Sequence, residues 1–148
     1  MAHTIKASCR IDADQKAVFD VIGDCRNFAK AVPHIEQVTI LSEIQHGVGL
    51  KFRETRIMKG RSAAADLEVT EFDPPERIRI VSDVHGTVWD SVFLVRSDGN
   101  ATTVTLTMEA TPRTLMAKIM TPLAMKMMRP ALEGDLKAVK AYCESASA

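Results

Sequence analysis

The sequence lacks the features that mark several common protein classes. Its 148 residues include three cysteines, one tryptophan and one tyrosine, and its 19 basic and 19 acidic residues cancel in charge. A balanced charge gives no overall field to attract nucleic acid, so we expect no nucleic-acid partner. No apolar run is long enough to span a bilayer, and the first residues lack the apolar core of a signal peptide. We therefore expect a cytoplasmic protein.

Motifs for metal and covalent chemistry are also missing. Cys9, Cys25 and Cys143 are odd in number and follow no metal spacing, which is typical of small buried thiols in a reducing compartment. The four histidines have neither the helical spacing nor the cysteine partners of a zinc site. There is no nucleophile elbow and no phosphate-binding glycine loop. We expect no metal and no cofactor, and no catalytic residue can be assigned.

The order of apolar and polar residues predicts one strand, two short helices, six further strands and a long helix. Alternation at residues 5–11 indicates the first strand, and an aspartate then caps a helix that ends at Gly23. A second helix covers about residues 25–31. Strand-like segments such as residues 48–58 and 61–72 follow at short spacing, which predicts an antiparallel meander. With 46% hydrophobic residues and no linker or repeat, we expect a single domain over residues 1–148.

The last part of the chain has apolar residues at helical spacing and is rich in methionine. Five of the eight methionines lie at residues 116–128. Thr121 before Pro122 is typical of a helix start, so we expect a short leading piece and a main helix over residues 121–144 that Pro130 kinks. Methionine is flexible, so the cluster either forms a pliable pocket wall or fills gaps in an ordinary core. We favour the pocket wall.

Several motifs, in this order of elements, resemble a known superfamily. They are Ile-Asp-Ala at residues 11–13, Val-Phe at 18–19, Pro-His-Ile at 33–35, Val-Thr-Glu-Phe-Asp-Pro-Pro at 69–75, Thr-Val-Thr at 103–105 and Leu-Lys-Ala-Val-Lys at 136–140. The chain resembles the START/Bet v 1-like superfamily, and within it the bacterial polyketide cyclase/dehydrase-like (SRPBCC) group. The resemblance implies an α+β helix-grip fold. In this fold a curved seven-stranded antiparallel sheet wraps around a long C-terminal helix, with two short helices between the first two strands.

The resemblance also implies a ligand-binding cavity between the sheet and the long helix. Members of the superfamily bind lipids, sterols, polyketides, plant hormones or quinones, and some are enzymes. We expect a carrier or sensor of a small hydrophobic molecule, because that role needs only an apolar cavity with a few polar anchors. The alternative is a cyclase- or dehydratase-type enzyme that acts on a polyketide-like or aromatic substrate. It would need an acid or base in the cleft, such as Glu54, Asp66 or His85.

Strand parity leaves alternatives open for the charged pair in the third strand. Glu54 and Arg56 share the face that Val48, Leu50 and Phe52 set, so both enter the cavity unless a bulge turns them to the convex face. Inside the cavity they would pair with each other or with Asp66, because a buried charge is costly unless it is paired.

Two rings leave similar alternatives. Trp89 either contacts the ligand or packs in the core, and His85 either reaches the cavity mouth as an acid or base or is a solvated turn residue. The residues that we predict to line the pocket are Phe52, Glu54, Arg56, Ala65, Leu67, Trp89, Ser91, Phe93, Leu106, Met108, Met116, Met120, Leu123 and Met127.

A further option is a lipid chaperone that touches membranes through basic residues of the long helix. Lys118, Lys126 and Arg129 are the cations concerned. Each contributes only about 1 kcal/mol near an anionic surface, so we expect at most weak membrane-surface contact. Ligand identity and oligomeric state stay open.

Overall fold

The computed structural model describes residues 2–147. Its elements in chain order are β1 (His3–Ile11), α1 (Gln15–Ile22), α2 (Cys25–Ala31), β2 (Ile35–Ile40), β3 (Lys51–Met58), β4 (Arg61–Asp73), β5 (Arg77–Val84), β6 (Thr87–Asp98), β7 (Ala101–Pro112) and α3 (Leu115–Ser147).

All seven strands form one antiparallel sheet in the order β1-β7-β6-β5-β4-β3-β2. Strands β2 to β7 are a meander, and β1 returns to pair with β7 at the other edge. The helices α1 and α2 carry the chain between the two edges of the sheet. The predicted fold class, a seven-stranded antiparallel sheet with a long C-terminal helix and two short helices after the first strand, is confirmed.

The two short helices begin at aspartate caps and pack on the sheet through aromatic rings. Asp14 accepts a hydrogen bond from the backbone N–H of Ala17 at 2.8 Å, and Asp24 caps α2 in the same way. Phe19 packs against Phe72 of β4 with ring centroids 5.6 Å apart. Gly23 permits this packing, because a Cβ there would lie 2.6 Å from the Phe19 ring. The Phe19 ring contact beside Gly23 fixes the end of α1, and the Asp24 cap fixes the start of α2.

Helix α3 is continuous through both of its prolines. The predicted division at Thr121 is therefore wrong: Thr121 is a buried residue inside the helix and not an N-cap. Its hydroxyl donates to the carbonyl oxygen of Ala117 at 2.6 Å and lies 3.1 Å from the hydroxyl of Thr87 on β6. A buried threonine with both contacts satisfied fits a helix interior. Within residues 2–147, no helix is long and apolar enough to cross a membrane.

The long helix packs mainly along one side of the sheet. Its principal contacts with the sheet are with β1 and β7. Its buried side forms a narrow stripe that starts with Ala117 and Met125 and continues through Leu136 and Val139. The inner faces of β3 to β6 curve away from this stripe. Space is therefore left between the far half of the sheet and the middle of α3, at Met128 to Asp135.

Candidate functional site: an apolar cavity between sheet and helix

A cavity of about 380 Å³ occupies the space between the curved sheet and α3. This volume falls within the range of small-molecule sites. The walls come from the inner faces of β3 to β7, from the α1–α2 region around Cys25 and Phe28, and from Met128 to Asp135 on α3. Most of the lining side chains are apolar, which suits a hydrophobic occupant.

Ten of the fourteen predicted pocket residues lie on the cavity wall. They are Phe52, Glu54, Arg56, Ala65, Leu67, Trp89, Ser91, Phe93, Leu106 and Met108. All ten come from strands, where alternation along an antiparallel pair sets the facing of each side chain. The pairing of β6 with β7 shows this common facing. Trp89, Ser91 and Phe93 stand directly opposite Ala110, Met108 and Leu106 in the register.

The prediction that the front of the long helix forms a pliable cavity wall is wrong. Met116, Met120, Leu123 and Met127 do not line the cavity, and each is more than half exposed, at 68%, 52%, 57% and 53%. The physical reason is that this part of α3 is apolar on more than one side. Its inner stripe is made by other residues, such as Ala117 and Met125, and these four long side chains point to solvent.

The charged pair of β3 enters the cavity, so the first of the two predicted alternatives holds. Strands β3 and β4 pair without a register shift from Lys51 opposite Glu68 to Met58 opposite Arg61. No bulge therefore changes the phase that Phe52 sets. Glu54 and Arg56 both lie on the wall.

Arg56 is held by two carboxylates from different elements. Its Nε donates to Glu54 Oε1 at 2.6 Å. Its two terminal nitrogens donate to the two oxygens of Asp135 on α3 at 2.9 and 2.8 Å. The side chains of Glu54, Arg56 and Asp135, which we call the ionic triad, are only 15%, 21% and 8% exposed. This bidentate fork joins the sheet to the helix across the cavity wall.

The carboxylates keep the guanidinium charged despite its burial. Burial alone would lower the pKa of Arg56, but the hydrogen bond and charge of Asp135, aided by Glu54, hold that pKa above its ordinary value. In their ionised forms the three groups carry one positive and two negative charges. The polar part of the cavity wall is therefore net negative.

Asp135 was not predicted, and Asp66 does not take part. Asp66 pairs with Arg53 on the outer face, at 2.7 and 3.0 Å. The position of Asp135 in the helical pattern could have revealed it. Asp135 lies three residues after Leu132 and four before Val139, so it falls on the buried face of α3. A charged residue there requires a partner from the sheet.

Other polar groups on the wall are neutral or lie near solvent. Burial, with a smaller contribution from Asp24, raises the pKa of the Cys25 thiol to about 11, so the thiol is protonated and weakly nucleophilic at neutral pH. Ser82 and Ser91 contribute hydroxyls, and Trp89 contributes one N–H donor. His85 lies at the lining's exposed edge. Within residues 2–147, no group of three His, Cys, Asp or Glu side chains is arranged to hold a metal ion.

The cavity opens at one end of the sheet. Its solvent-exposed lining residues are Met58, Ala63, Ala64 and His85, at the β3–β4 and β5–β6 turns. These turns lie at the same end of the meander as the start of α3. We call this opening the mouth.

Comparison with known protein families places the chain in one of them. The family model described as "Polyketide cyclase / dehydrase and lipid transport" matches residues 2–144. The chain belongs to this family. The START/Bet v 1-like resemblance is thereby confirmed, and the fold of the family is one that binds hydrophobic ligands and includes polyketide cyclases among its members.

Solved structures with the same fold include an enzyme and proteins named only by family or locus. The Zhui aromatase/cyclase from Streptomyces sp. R1128 is 18% identical, with a TM-score of 0.82, and the match covers 100% of this chain and 97% of that one. The protein TTHA0849 from Thermus thermophilus is 19% identical, with a TM-score of 0.80 and coverages of 99% and 100%. A START superfamily protein from Mycobacterium smegmatis is 15% identical, with a TM-score of 0.80 and coverages of 97% and 99%. Comparison with curated proteins gives no match.

Proposed function

We propose that the protein binds a small, uncharged, hydrophobic molecule in this cavity, as a carrier or sensor. The observation that carries the proposal is an apolar cavity of about 380 Å³ whose formally charged lining residues are confined to the ionic triad. Apolar walls supply most of the affinity of such a site, and a few fixed polar groups orient the ligand.

The triad favours a ligand with a hydroxyl or carbonyl group over one with a carboxylate. Arg56 has five N–H donors and uses three of them on Glu54 and Asp135, so two are left to donate to a ligand oxygen. The second oxygen of Glu54 can accept from a ligand hydroxyl. A carboxylate would bring a further negative charge to a partly buried, net negative group, which Coulomb repulsion opposes.

A matched pair of ligands tests this proposal. Trp89 is the only tryptophan and lies on the cavity wall, so its fluorescence reports directly on occupancy. Titration with 1-decanol should change this fluorescence saturably, with one molecule bound per chain. At neutral pH decanoate, which has the same chain length, should bind at least about tenfold more weakly because of its charge. The proposal fails if 1-decanol and similar neutral compounds show no saturable binding, or if decanoate binds as well as the alcohol.

The triad itself provides the matched variants. Asp135→Asn removes one negative charge from the wall. It should therefore reduce the difference in affinity between 1-decanol and decanoate. Asp66→Asn removes the same charge from the outer face, where Asp66 pairs with Arg53, and should leave this difference unchanged. Equal effects of both variants would mean that the charge of the cavity wall does not select the ligand.

The enzyme alternative has weaker support. It draws on the family description, which names polyketide cyclase / dehydrase, and on the names of several structural relatives, among them an aromatase/cyclase that is 18% identical. Against it, both carboxylates of the wall are engaged with Arg56, and the Cys25 thiol is protonated at neutral pH. Liquid chromatography with mass spectrometry of a polyketide-like compound incubated with the protein distinguishes the two. A carrier returns the compound unchanged, a dehydratase returns a product that has lost water, and a cyclase without dehydration returns an isomer of the same mass with a different retention time.

A further inference from the structure

The front of α3 exposes an apolar patch that the cavity does not use. Its six residues are between 52% and 78% exposed, and each has another member three or four positions away along the helix, so they share one side. We call them the helix patch: Leu115, Met116, Ile119, Met120, Leu123 and Met127. Six large apolar side chains side by side on a helix are unusual on a free surface, and such a patch typically marks an interaction site.

Cations lie along one border of the helix patch, and acids are missing. Lys118, Lys126 and Arg129 are exposed on the neighbouring side of α3. Among the residues that the structure describes, none of the three forms an ion pair. Residues 110–132 contain no aspartate or glutamate. The surface therefore combines apolar area with uncompensated positive charge.

The other border of the helix patch leads to the cavity mouth. Met127 is one helical turn before Ala131, which lines the cavity. Across the mouth, the β3–β4 turn exposes Ile57 and Met58 beside Lys59 and Arg61. The same chemistry, apolar residues with cations next to them, is thus found on both sides of the mouth.

We propose that this end of the molecule docks on the surface of an anionic lipid bilayer. The helix patch enters the interface between headgroups and acyl chains, and Lys118, Lys126 and Arg129 contact lipid phosphates. Helices with an apolar face and flanking cations bind bilayers in this way, lying in the plane of the interface. Docking in this orientation places the mouth against the bilayer, so that an apolar molecule reaches the cavity without crossing water.

The charge of the surface favours an anionic bilayer over a second copy of the chain as the partner of the helix patch. A symmetric dimer through the helix patch would bring the same three cations of both copies together, and no acid in residues 110–132 would offset them. An anionic bilayer supplies the opposite charge. From the three cations alone, the sequence predicts at most weak membrane contact. The apolar area of the helix patch should make binding to the bilayer stronger than that.

Vesicle flotation tests the proposal without reference to the cavity ligand. The wild-type protein should float with vesicles of equimolar phosphatidylcholine and phosphatidylglycerol, and should stay unbound with phosphatidylcholine alone. Combined Leu115→Gln, Ile119→Gln and Leu123→Gln should weaken binding on the order of a hundredfold. Combined Lys118→Gln, Lys126→Gln and Arg129→Gln should weaken it by a similar factor, since each cation contributes about fivefold.

A matched control uses the opposite end of the sheet. Leu41, Ile44 and Val48 are 45%, 49% and 56% exposed in the β2–β3 connection, and their combined change to glutamine should leave vesicle binding intact. All variants should keep the Trp89 response to 1-decanol, which separates failure of docking from failure of the cavity. The proposal is overturned if wild type does not float with anionic vesicles, or if the control loses binding as the helix variants do. It is also overturned if sedimentation shows a dimer that the Leu115, Ile119 and Leu123 changes dissociate.

Discussion

Arg56 of β3 and Asp135 of α3 form a two-pronged ion pair across the boundary between sheet and helix, with N–O distances of 2.9 and 2.8 Å. The two residues are 79 positions apart in the chain, and both line the cavity. It both joins the two walls and supplies the cavity's polar end. Changes to it should therefore affect stability and ligand choice together.

We predict that Asp135→Asn lowers the free energy of unfolding by about 3 kcal/mol, because it leaves the buried Arg56 charge with one partner. Glu54→Gln should lower the free energy of unfolding by less, because Arg56 keeps both of its hydrogen bonds to Asp135. The exposed control Asp66→Asn should cost about 0–1 kcal/mol. Urea denaturation measures all three. A loss at Asp135 no larger than the loss at Asp66 would show that the pair is not a buried link.

Methionines on α3 should differ sharply in their contribution to stability. Met120→Ala and Met127→Ala should change the free energy of unfolding by less than about 0.5 kcal/mol, because both side chains are exposed. Met125→Ala should cost about 2–5 kcal/mol, because Met125 is buried in the core. Thermal or urea melts of the three variants give the comparison. A core-like loss at Met120 or Met127 would contradict their placement on the surface.

Replacing a small side chain by a large one distinguishes a position beside open space from a position in the packed core. Ser91 lies on the cavity wall, so Ser91→Phe should reduce stability by less than about 1 kcal/mol and abolish the Trp89 response to 1-decanol. Ala110, also on an inner face, is fully buried, and Ala110→Phe should cost about 1–3 kcal/mol through overpacking. Similar losses at both positions would mean that the space beside Ser91 is filled.

The Cys25 thiol should report on the cavity through its pH dependence. Because burial raises its pKa from the ordinary 9.0 to about 11, the reactive thiolate is scarce at neutral pH and increases only as the pH approaches 11. Alkylation by iodoacetamide, mapped to each cysteine by mass spectrometry, should show this late rise, and 1-decanol should slow it. A midpoint at or below 9 in folded protein would contradict the burial of the thiol in the wall.

The sequence predicted the sheet well because strand periodicity is strict. A side chain two residues along a strand returns to the same face, so Phe52 predicts the facing of Glu54 and Arg56 as long as no bulge intervenes. The same parity, less certain for β6 because both of its faces are apolar, still placed Trp89 and Ser91 on the wall.

The helix was predicted less well because its pattern is apolar on two sides. Sequence periodicity gives the apolar residues of α3 but not which of them face the sheet, and only tertiary packing decides between Met120 and Met125. Thr121 shows a related limit, since Thr-Pro is compatible with both a helix start and a buried helix interior. Asp135 was overlooked because its partner lies 79 residues away in sequence.

The most direct test of the central claim, an apolar ligand between sheet and α3, is a methyl spectrum of protein labelled with ¹³C at its methionine methyl groups. Met108 and Met128 line the cavity, whereas Met116 and Met120 lie on the exposed side of α3. Titration with 1-decanol in the absence of lipid should shift the Met108 and Met128 signals saturably and leave those of Met116 and Met120 in place. Shifts confined to Met116 and Met120, with Met108 and Met128 unchanged, would place the ligand on the surface and contradict the account.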